Sequence, residues 1–304
     1  MSRTVFCSVI GMLSLGIGCG VAGPKGKSHS SSDGGSDVGP IAVTSVGSGQ
    51  TTAAATSGGG PTGPSSSSGA MQNPVPEFGA TFAVIGRAAD GLHKPRDLQF
   101  HPQRQGELWV VNQAIDGTVI YFGAGTNEQK SELRIDYYAA HFMDEVSSIA
   151  FGANNTFGTC HESHNTWNGQ QSGDDQMGPT LWPADLNIYG KSNQGTGSLL
   201  GSHLDMLHES PLCMGIAHDH LNVFWVSDGN RGDIVRYDFK SPHKVGGDDH
   251  TDGVIRRYVD AKFQRVAGVP SHLALDGQSG WLYVADTGGK RVIRLDTNSG
   301  QNGG

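Results

Sequence analysis

Short apolar segments separated by polar turns make up most of the chain after residue 78. Residues 224–228 and 234–238 match residues 282–286 and 292–296 without gaps, at an offset of 58 residues. A further copy at residues 108–112 lies 116 residues before the first, which is twice that offset. These segments alternate roughly in period two, are rich in β-branched and aromatic residues, and are bounded by Gly, Asp and Asn. Such a pattern is typical of β-strands, and no helical periodicity of useful length accompanies it.

Further strands belong to the same repeat. Each of the three clear copies follows another predicted strand, at residues 98–101, 216–219 and 273–276. A fourth, degenerate copy occupies residues 149–152 and 157–161, and an insertion displaces its next strand to about residues 184–189. About four repeats of several short strands predict an all-β fold: a β-propeller whose four-stranded blades surround a central channel.

The first 78 residues differ in composition from the rest. Residues 1–19 begin with the basic Arg3, continue into an apolar run that is too short to cross a membrane, and end at Cys19. Residues 20–78 are almost all Gly, Ser, Thr, Pro and Ala, so they bury too little apolar area to offset the entropy of ordering. We therefore expect an export signal, a disordered tether, and a folded propeller over residues 79–304.

The net charge restricts the class of partner. The chain carries 21 basic and 29 acidic side chains, a net charge of −8. The signal and tether contribute three of each sign, so the acidic excess belongs to the predicted propeller. Binding to nucleic-acid phosphates needs clusters of Lys and Arg, which this sequence does not contain. The composition therefore argues against a nucleic-acid partner.

The end of the apolar run resembles a known anchoring motif. Leu15-Gly16-Ile17-Gly18-Cys19 is similar to the lipobox of bacterial lipoproteins, although its leucine lies one residue further from the cysteine than in that motif. The resemblance implies lipidation of Cys19 and attachment to a membrane surface of the bacterial cell envelope. The alternative is an ordinary cleaved signal.

The propeller segments also resemble a known repeat. Residues 95–100 (Pro-Arg-Asp-Leu-Gln-Phe), residues 270–276 and the strands that follow them are similar to NHL repeats, a resemblance that covers about residues 81–297. NHL propellers include partner-binding modules, receptor ectodomains and a metal-dependent peptidyl-hydroxyglycine amidating lyase. The repeats here are longer than in that family, whose rings usually have about six blades. Four repeats leave two alternatives: a fragment of a six-bladed ring, or a ring closed by residues 81–86 as the missing fourth strand.

Propeller topology predicts which residues share one face. The starts of first strands and the ends of second strands lie on the same side, here called the top face. The candidates there for binding a protein or small-molecule partner are Asp97 at the channel mouth, Asn112, Asp228 and Asp286 further out, and Trp167 in the insertion at residues 162–182. Trp182 ends that insertion, and aromatic residues favour recognition. An Asp or Asn that closes a strand can instead hydrogen-bond the following turn.

The densest set of potential metal ligands is the segment from Cys160 to His164, Cys-His-Glu-Ser-His. A thiolate with imidazoles three residues apart suits zinc, so His161 and His164 are candidate ligands. Alternatively, Cys160 pairs with Cys213, because disulfides form in exported proteins. Residues 248–253 resemble the start of a calcium loop, yet position twelve is Val259 instead of glutamate, which leaves only looser cation binding.

His272 is a candidate through the family resemblance. Residues 270–275, Pro-Ser-His-Leu-Ala-Leu, resemble a stretch of the amidating lyase with its two middle residues exchanged. In that family, histidines at first-strand starts hold zinc, so the resemblance implies a metal ligand at His272, with Asp97 as its partner. The equivalent position in blade 2, Ser148, is not histidine, which favours a channel-lining role for His272.

Together these observations predict an exported, lipid-anchored propeller that acts as a protein- or ligand-binding module. The alternative is a zinc- or calcium-dependent lyase or lactonase-like hydrolase at the channel mouth.

Overall fold

The computed structural model describes residues 82–164, 177–191 and 199–301. The signal, Cys19, the tether and Trp167 lie outside the described residues. No helix of the described part is long and apolar enough to span a bilayer.

The strands form four antiparallel sheets, numbered here as blades 1 to 4. Blade 1 consists of β1 (Pro95–Phe100), β2 (Leu108–Asn112), β3 (Gly117–Phe122) and β4 (Lys130–Ile135). A one-turn helix, α1 (Ala139–Phe142), leads to blade 2, which consists of β5 (Val146–Phe151), β6 (Thr156–His161), β7 (Thr180–Pro183) and β8 (Asp205–Met206). Blade 3 consists of β9 (Ile216–His218), β10 (Val223–Asp228), β11 (Asp233–Asp238) and β12 (Val254–Tyr258). Blade 4 consists of β13 (Leu273–Asp276), β14 (Trp281–Asp286) and β15 (Arg291–Asp296).

The first strand of each blade lies innermost. β1 contacts β5, β5 contacts β9, and β9 contacts β13, so the blades follow one another around a common axis. Within each blade the strands pair in chain order, from the innermost strand outward. The chain therefore folds as a β-propeller, and the predicted all-β fold class is confirmed.

The ring is open between blade 4 and blade 1. Leu98 and Phe100 on β1 are 58% and 56% exposed, and Val292 on β15 is 71% exposed, so apolar side chains line both free flanks. The predicted closure by residues 81–86 is wrong for the described residues 82–86, which form no strand. Ile85 instead packs against the apolar cluster on the flank of blade 1, because that cluster would otherwise face water.

Blade 2 departs from the predicted strand positions. Its third strand is Thr180–Pro183, not residues 184–189, and Thr156 pairs with Pro183 while Thr159 pairs with Thr180. The following residues instead form turns that bury Tyr189 completely. The apolar residues that suggested a strand there are part of the core instead. Side chains of an irregular segment can fill a gap between blades just as the side chains of a strand can.

Aromatic side chains fill the space between blades 1 and 2. Trp109, Phe157, Trp182 and Tyr189 are fully buried, and their ring centroids lie 5.0–6.3 Å apart. Burial of each such side chain contributes roughly 1.5–3 kcal/mol. The expectation that Trp182 takes part in recognition is therefore wrong: its ring lies in the core, and its Nε1 donates to Thr159 Oγ1 at 2.9 Å.

Candidate functional site

The four innermost strands line a cavity of about 430 Å³ that is open to solvent. Each blade contributes its first strand; Leu98, Phe151, Ile216 and Leu273 are among the lining residues, but most of the surface exposed in the cavity is polar. Small glycine and alanine residues bring these strands close together. A side chain at Gly215, just before β9, would overlap Ser271 and His272 of blade 4. The cavity therefore depends on close backbone packing between neighbouring blades.

Asp97 and His272 face each other at the rim of this cavity. His272 Nδ1 lies 4.0 Å from Asp97 Oδ2, and the His272 side chain is 45% exposed while that of Asp97 is 20% exposed. Asp97 Oδ1 accepts the amide of Leu98 at 2.8 Å and Oδ2 accepts the amide of Ile149 at 3.0 Å, so the carboxyl ties blade 1 to blade 2. Burial raises the pKa of Asp97, while the amide of Ile149 and then His272 act in the opposite direction. The pair combines a fixed acceptor with an accessible imidazole.

A buried glutamate connects three parts of the ring. Glu162 Oε1 accepts Arg265 Nη2 and the amide of Gly268, both at 2.6 Å. Its Oε2 accepts Arg96 Nη2 at 3.2 Å and Gln113 Nε2 at 3.1 Å. Since Glu162 follows β6, these bonds join blade 2 to blade 1 and to the connection that enters blade 4.

Sequence reasoning missed the role of Glu162. Glu162 lies inside the Cys-His-Glu-Ser-His segment, where the neighbouring imidazoles suggested metal binding. Its partners Arg96 and Arg265 are more than 60 residues away along the chain. The only signal was an acidic residue directly after β6.

Three predicted binding residues are buried structural residues instead. Asp228 is fully buried, accepts the amides of Asn230 and Arg231 at 2.8 and 2.9 Å, and pairs with Arg257 at 2.6 Å. The two amides belong to the turn after β10, and Arg257 lies on β12, so the carboxylate stabilises the β10–β11 hairpin and links it to the outermost strand of blade 3. Asp228 is therefore not an accessible binding residue.

Asn112 and Asp286 are also buried and hydrogen-bonded to neighbouring segments. Asn112 is fully buried; its Oδ1 accepts the amide of His93 at 3.0 Å and its Nδ2 donates to Gly91 O at 3.1 Å. Asp286 is 1% exposed, and it accepts the amide of Gln264 at 2.7 Å and Arg291 Nε at 2.8 Å. The prediction that Asn112 and Asp286 bind a partner at the top face is therefore wrong, because their polar atoms already hydrogen-bond to turns and to the segments that lead into the strands.

The predicted metal set is not assembled. Among the described residues, one group of three potential ligands converges, and it contains none of His161, His164 and His272. His161 is fully buried in blade 2, where Nε2 lies 2.9 Å from Thr159 Oγ1. Burial lowers the pKa of His161 to about 3, with His141 acting in the same direction, so the imidazole is neutral.

Cys160 and Cys213 lie together between blades 2 and 3. The structure joins them as a disulfide, with Cα atoms 5.3 Å apart, and both residues are fully buried. In this arrangement Cys160 is not a metal ligand with His161.

Comparisons with known proteins support no assignment to a family. No protein-family model and no curated protein matches the sequence. The similar solved structures include a catalytically inactive virginiamycin B lyase from Staphylococcus aureus with quinupristin (15% identity, TM-score 0.36, covering 67% of this chain and 53% of that one). They also include an auxiliary nutrient binding protein from Bacteroides ovatus (13% identity, TM-score 0.44, covering 68% and 39%) and a nidogen/laminin complex (15% identity, TM-score 0.41, covering 67% and 60%). The chain spans less than two thirds of each of these structures, and such distant similarity carries no argument about activity.

Proposed function

We propose that the protein is an exported, membrane-anchored propeller of NHL type that binds a ligand at the top face of its central channel. The observation that carries this proposal is the cavity of about 430 Å³ between the four innermost strands, with Asp97 and His272 at its rim. A cavity of a few hundred Å³ lies in the size range that is typical of small-molecule sites. A small molecule fits better than a protein, because the outer candidates Asn112, Asp228 and Asp286 are buried.

The membrane anchor is the second part of the proposal. It rests on the lipobox-like Leu15–Cys19 segment and on a tether of about 58 residues, which as a flexible coil would reach on the order of 40 Å. Such a tether would hold the propeller clear of a bacterial envelope membrane. A Cys19→Ala variant should leave the membrane fraction, and unchanged membrane association would refute lipidation at that residue.

Occupancy of the channel can be tested without knowing the ligand. The probe is 1-anilinonaphthalene-8-sulfonate, which carries aromatic rings and a sulfonate and whose fluorescence rises when it leaves water, titrated into the purified full chain. Ala274→Trp places a large ring in the cavity, whereas Ala114→Trp, the matched control, places it on an exposed 3-10 helix. We expect the dye affinity to fall at least tenfold in Ala274→Trp alone, and equal affinity in both variants would contradict a channel site.

A channel enzyme is the second candidate, favoured by the 4.0 Å approach of an accessible imidazole to a carboxylate. The residues fit a resident metal poorly: both Asp97 oxygens already accept backbone amides, and no third ligand joins the pair among the described residues. An enzyme at this site would therefore use His272 as an acid or base. If a metal were nevertheless held there, His272→Ala would lose stoichiometric zinc or calcium, and retention of all bound metal would exclude that alternative.

A further inference from the structure

Three histidines converge at the outer rim of the propeller, away from the channel. His203 lies just before β8, the outermost strand of blade 2, and His243 and His250 lie in the connection to β12, the outermost strand of blade 3. One nitrogen from each imidazole lies within 4.8 Å of the others. These residues are up to 47 positions apart in the sequence, so the fold alone brings them together.

The hydrogen bonds of the three rings bear on which ring nitrogen is free to bind a ligand. His203 Nδ1 lies 2.7 Å from Leu200 O, and His243 Nδ1 lies 2.7 Å from Lys244 O. His250 Nδ1 lies 2.8 Å from Asp205 Oδ1, closer than it lies to the amide of Met206 at 3.2 Å. The carbonyl acceptors of His203 and His243 require a proton on Nδ1, which leaves their Nε2 lone pairs available, and the carboxylate of Asp205 favours the same tautomer of His250. Carbonyl or carboxylate partners at the distal nitrogen are the usual support of metal-binding histidines.

Two of these Nε2 atoms are buried without a partner. His203 is fully buried, and the Nε2 atoms of His203 and His243 have no hydrogen-bond partner among the described protein atoms. A buried polar atom without a partner is costly, and native proteins contain few of them. A ligand that accepts electron pairs would satisfy both nitrogens at once.

The surrounding backbone holds the rings in place. The amide of Leu200 donates to Gly246 O at 2.8 Å, and the amide of Gly246 donates to His203 O at 2.9 Å, so the two connections are bonded directly to each other. The His203 ring also stacks on Phe142, with centroids 3.7 Å apart. A site fixed in this way would bind with little loss of conformational freedom.

We propose that His203, His243 and His250 bind one divalent transition-metal ion of the zinc type, and that the ion links blades 2 and 3. Imidazole nitrogens suit zinc and its neighbours in the first transition series, whereas calcium and magnesium prefer oxygen ligands. Asp205 is a positioning residue that orients His250. Three protein ligands leave a fourth tetrahedral position for water or an external ligand.

The test is zinc binding by the purified full chain after removal of metals with a chelator. Isothermal titration with zinc chloride should show one tight site, and His243→Ala should weaken it at least 100-fold, because His243 is only half-buried and its loss should leave the fold intact. The matched control is His220→Ala, an exposed histidine outside both sites, which should bind zinc as the native chain does.

A second readout separates ligation from a structural effect. Cobalt substituted for zinc should give the visible absorption of tetrahedral coordination, and Asp205→Asn should lower metal affinity by about 10- to 100-fold. If His243→Ala does not fold, His250→Gln replaces it, with folding checked by circular dichroism. Absence of a tight zinc site in the native chain, or equal affinity in His243→Ala and His220→Ala, would overturn the proposal.

Discussion

Replacement of Glu162 by glutamine tests how the top face of the propeller is held together. In the native chain its carboxylate accepts Arg265 Nη2 and the amide of Gly268 at 2.6 Å each, and Arg96 Nη2 at 3.2 Å. Glutamine keeps the size of the side chain but removes its negative charge and presents an N–H₂ group where an acceptor is needed. Two arginines then lose their shared counterion.

The burial of Glu162 and its two arginine partners determines how much stability the substitution should cost. The side chain of Glu162 is 4% exposed, and those of Arg96 and Arg265 are 10% and 21% exposed. Removal of one partner from a buried ion pair costs about 3–5 kcal/mol. Because Arg265 retains some hydration, we expect the lower end of that range, about 3 kcal/mol. For a domain of this size, that loss lowers Tm by roughly 6–12 °C.

Thermal and urea unfolding of the full chain measure this loss. The matched control is Glu209→Gln, whose carboxylate lies 3.7 Å from Arg231 with both side chains more than a third exposed. An exposed ion pair contributes at most about 1 kcal/mol, so the control should be nearly neutral. Equal destabilisation in the two variants would refute the view that Glu162 joins the blades through a buried network.

Three further predictions concern other parts of the propeller. Gly215→Ala should lower the free energy of unfolding in urea by about 1–3 kcal/mol, because the new Cβ would overlap Ser271 and His272. The control Gly277→Ala, whose new Cβ would have no atom within 4 Å, should be neutral. Equal effects of the two variants would contradict the close approach of blades 3 and 4. Cys160 and Cys213 should appear as one cross-linked peptide in mass spectrometry without reductant. Because 53 residues separate them, reduction should lower the free energy of unfolding by up to about 4 kcal/mol. Free thiols in the native protein would contradict the pairing. Burial raises the pKa of Asp116 to about 7, so the folded chain keeps a proton that the unfolded chain releases from about pH 4, and stability falls as the pH rises through this window. The stability of Asp116→Asn relative to the native chain should therefore increase by up to about 4 kcal/mol between about pH 4 and pH 8, and a difference independent of pH would refute the shift.

The repeat was predictable because its strands follow from local sequence patterns. β10, β11, β14 and β15 lie within one residue of their predicted positions, since β-branched and aromatic residues alternate there between Asp and Gly turns. Blade 2 was less predictable. Its third strand, Thr180–Pro183, is short and follows an insertion, so neither its length nor its distance from β6 repeats the other blades.

The roles of individual polar residues were harder to predict than the strands. Asp228 and Asp97 both lie on strands near the top face, yet one carboxylate is enclosed by its own hairpin and the other borders the cavity. Whether such a carboxylate is enclosed or faces the cavity depends on the neighbouring blade, and the pattern of residues along a strand gives no information about that blade. The alternative that strand-closing residues stabilise turns describes Asn112, Asp228 and Asp286 correctly.

The histidines show the same limit more sharply. His161 and His164 attracted attention because they are three residues apart, but local spacing on an irregular strand end does not make two side chains converge. His203, His243 and His250 do converge, although no short motif contains them. Their convergence depends on two long connections that meet at the rim, which strand periodicity could not reveal.

The channel and the rim site are separated by the width of a blade, and this separation makes their functions distinguishable. The first and fourth strands of a blade are three spacings apart, about 14 Å, so a metal at the rim cannot contact a ligand between the innermost strands. Loss of metal in His243→Ala should therefore leave dye binding in the channel unchanged, while Ala274→Trp should block the dye and keep the metal. If either variant abolished both activities, the two sites would have to be coupled through the interface of blades 2 and 3, where the buried Cys160 and Cys213 lie.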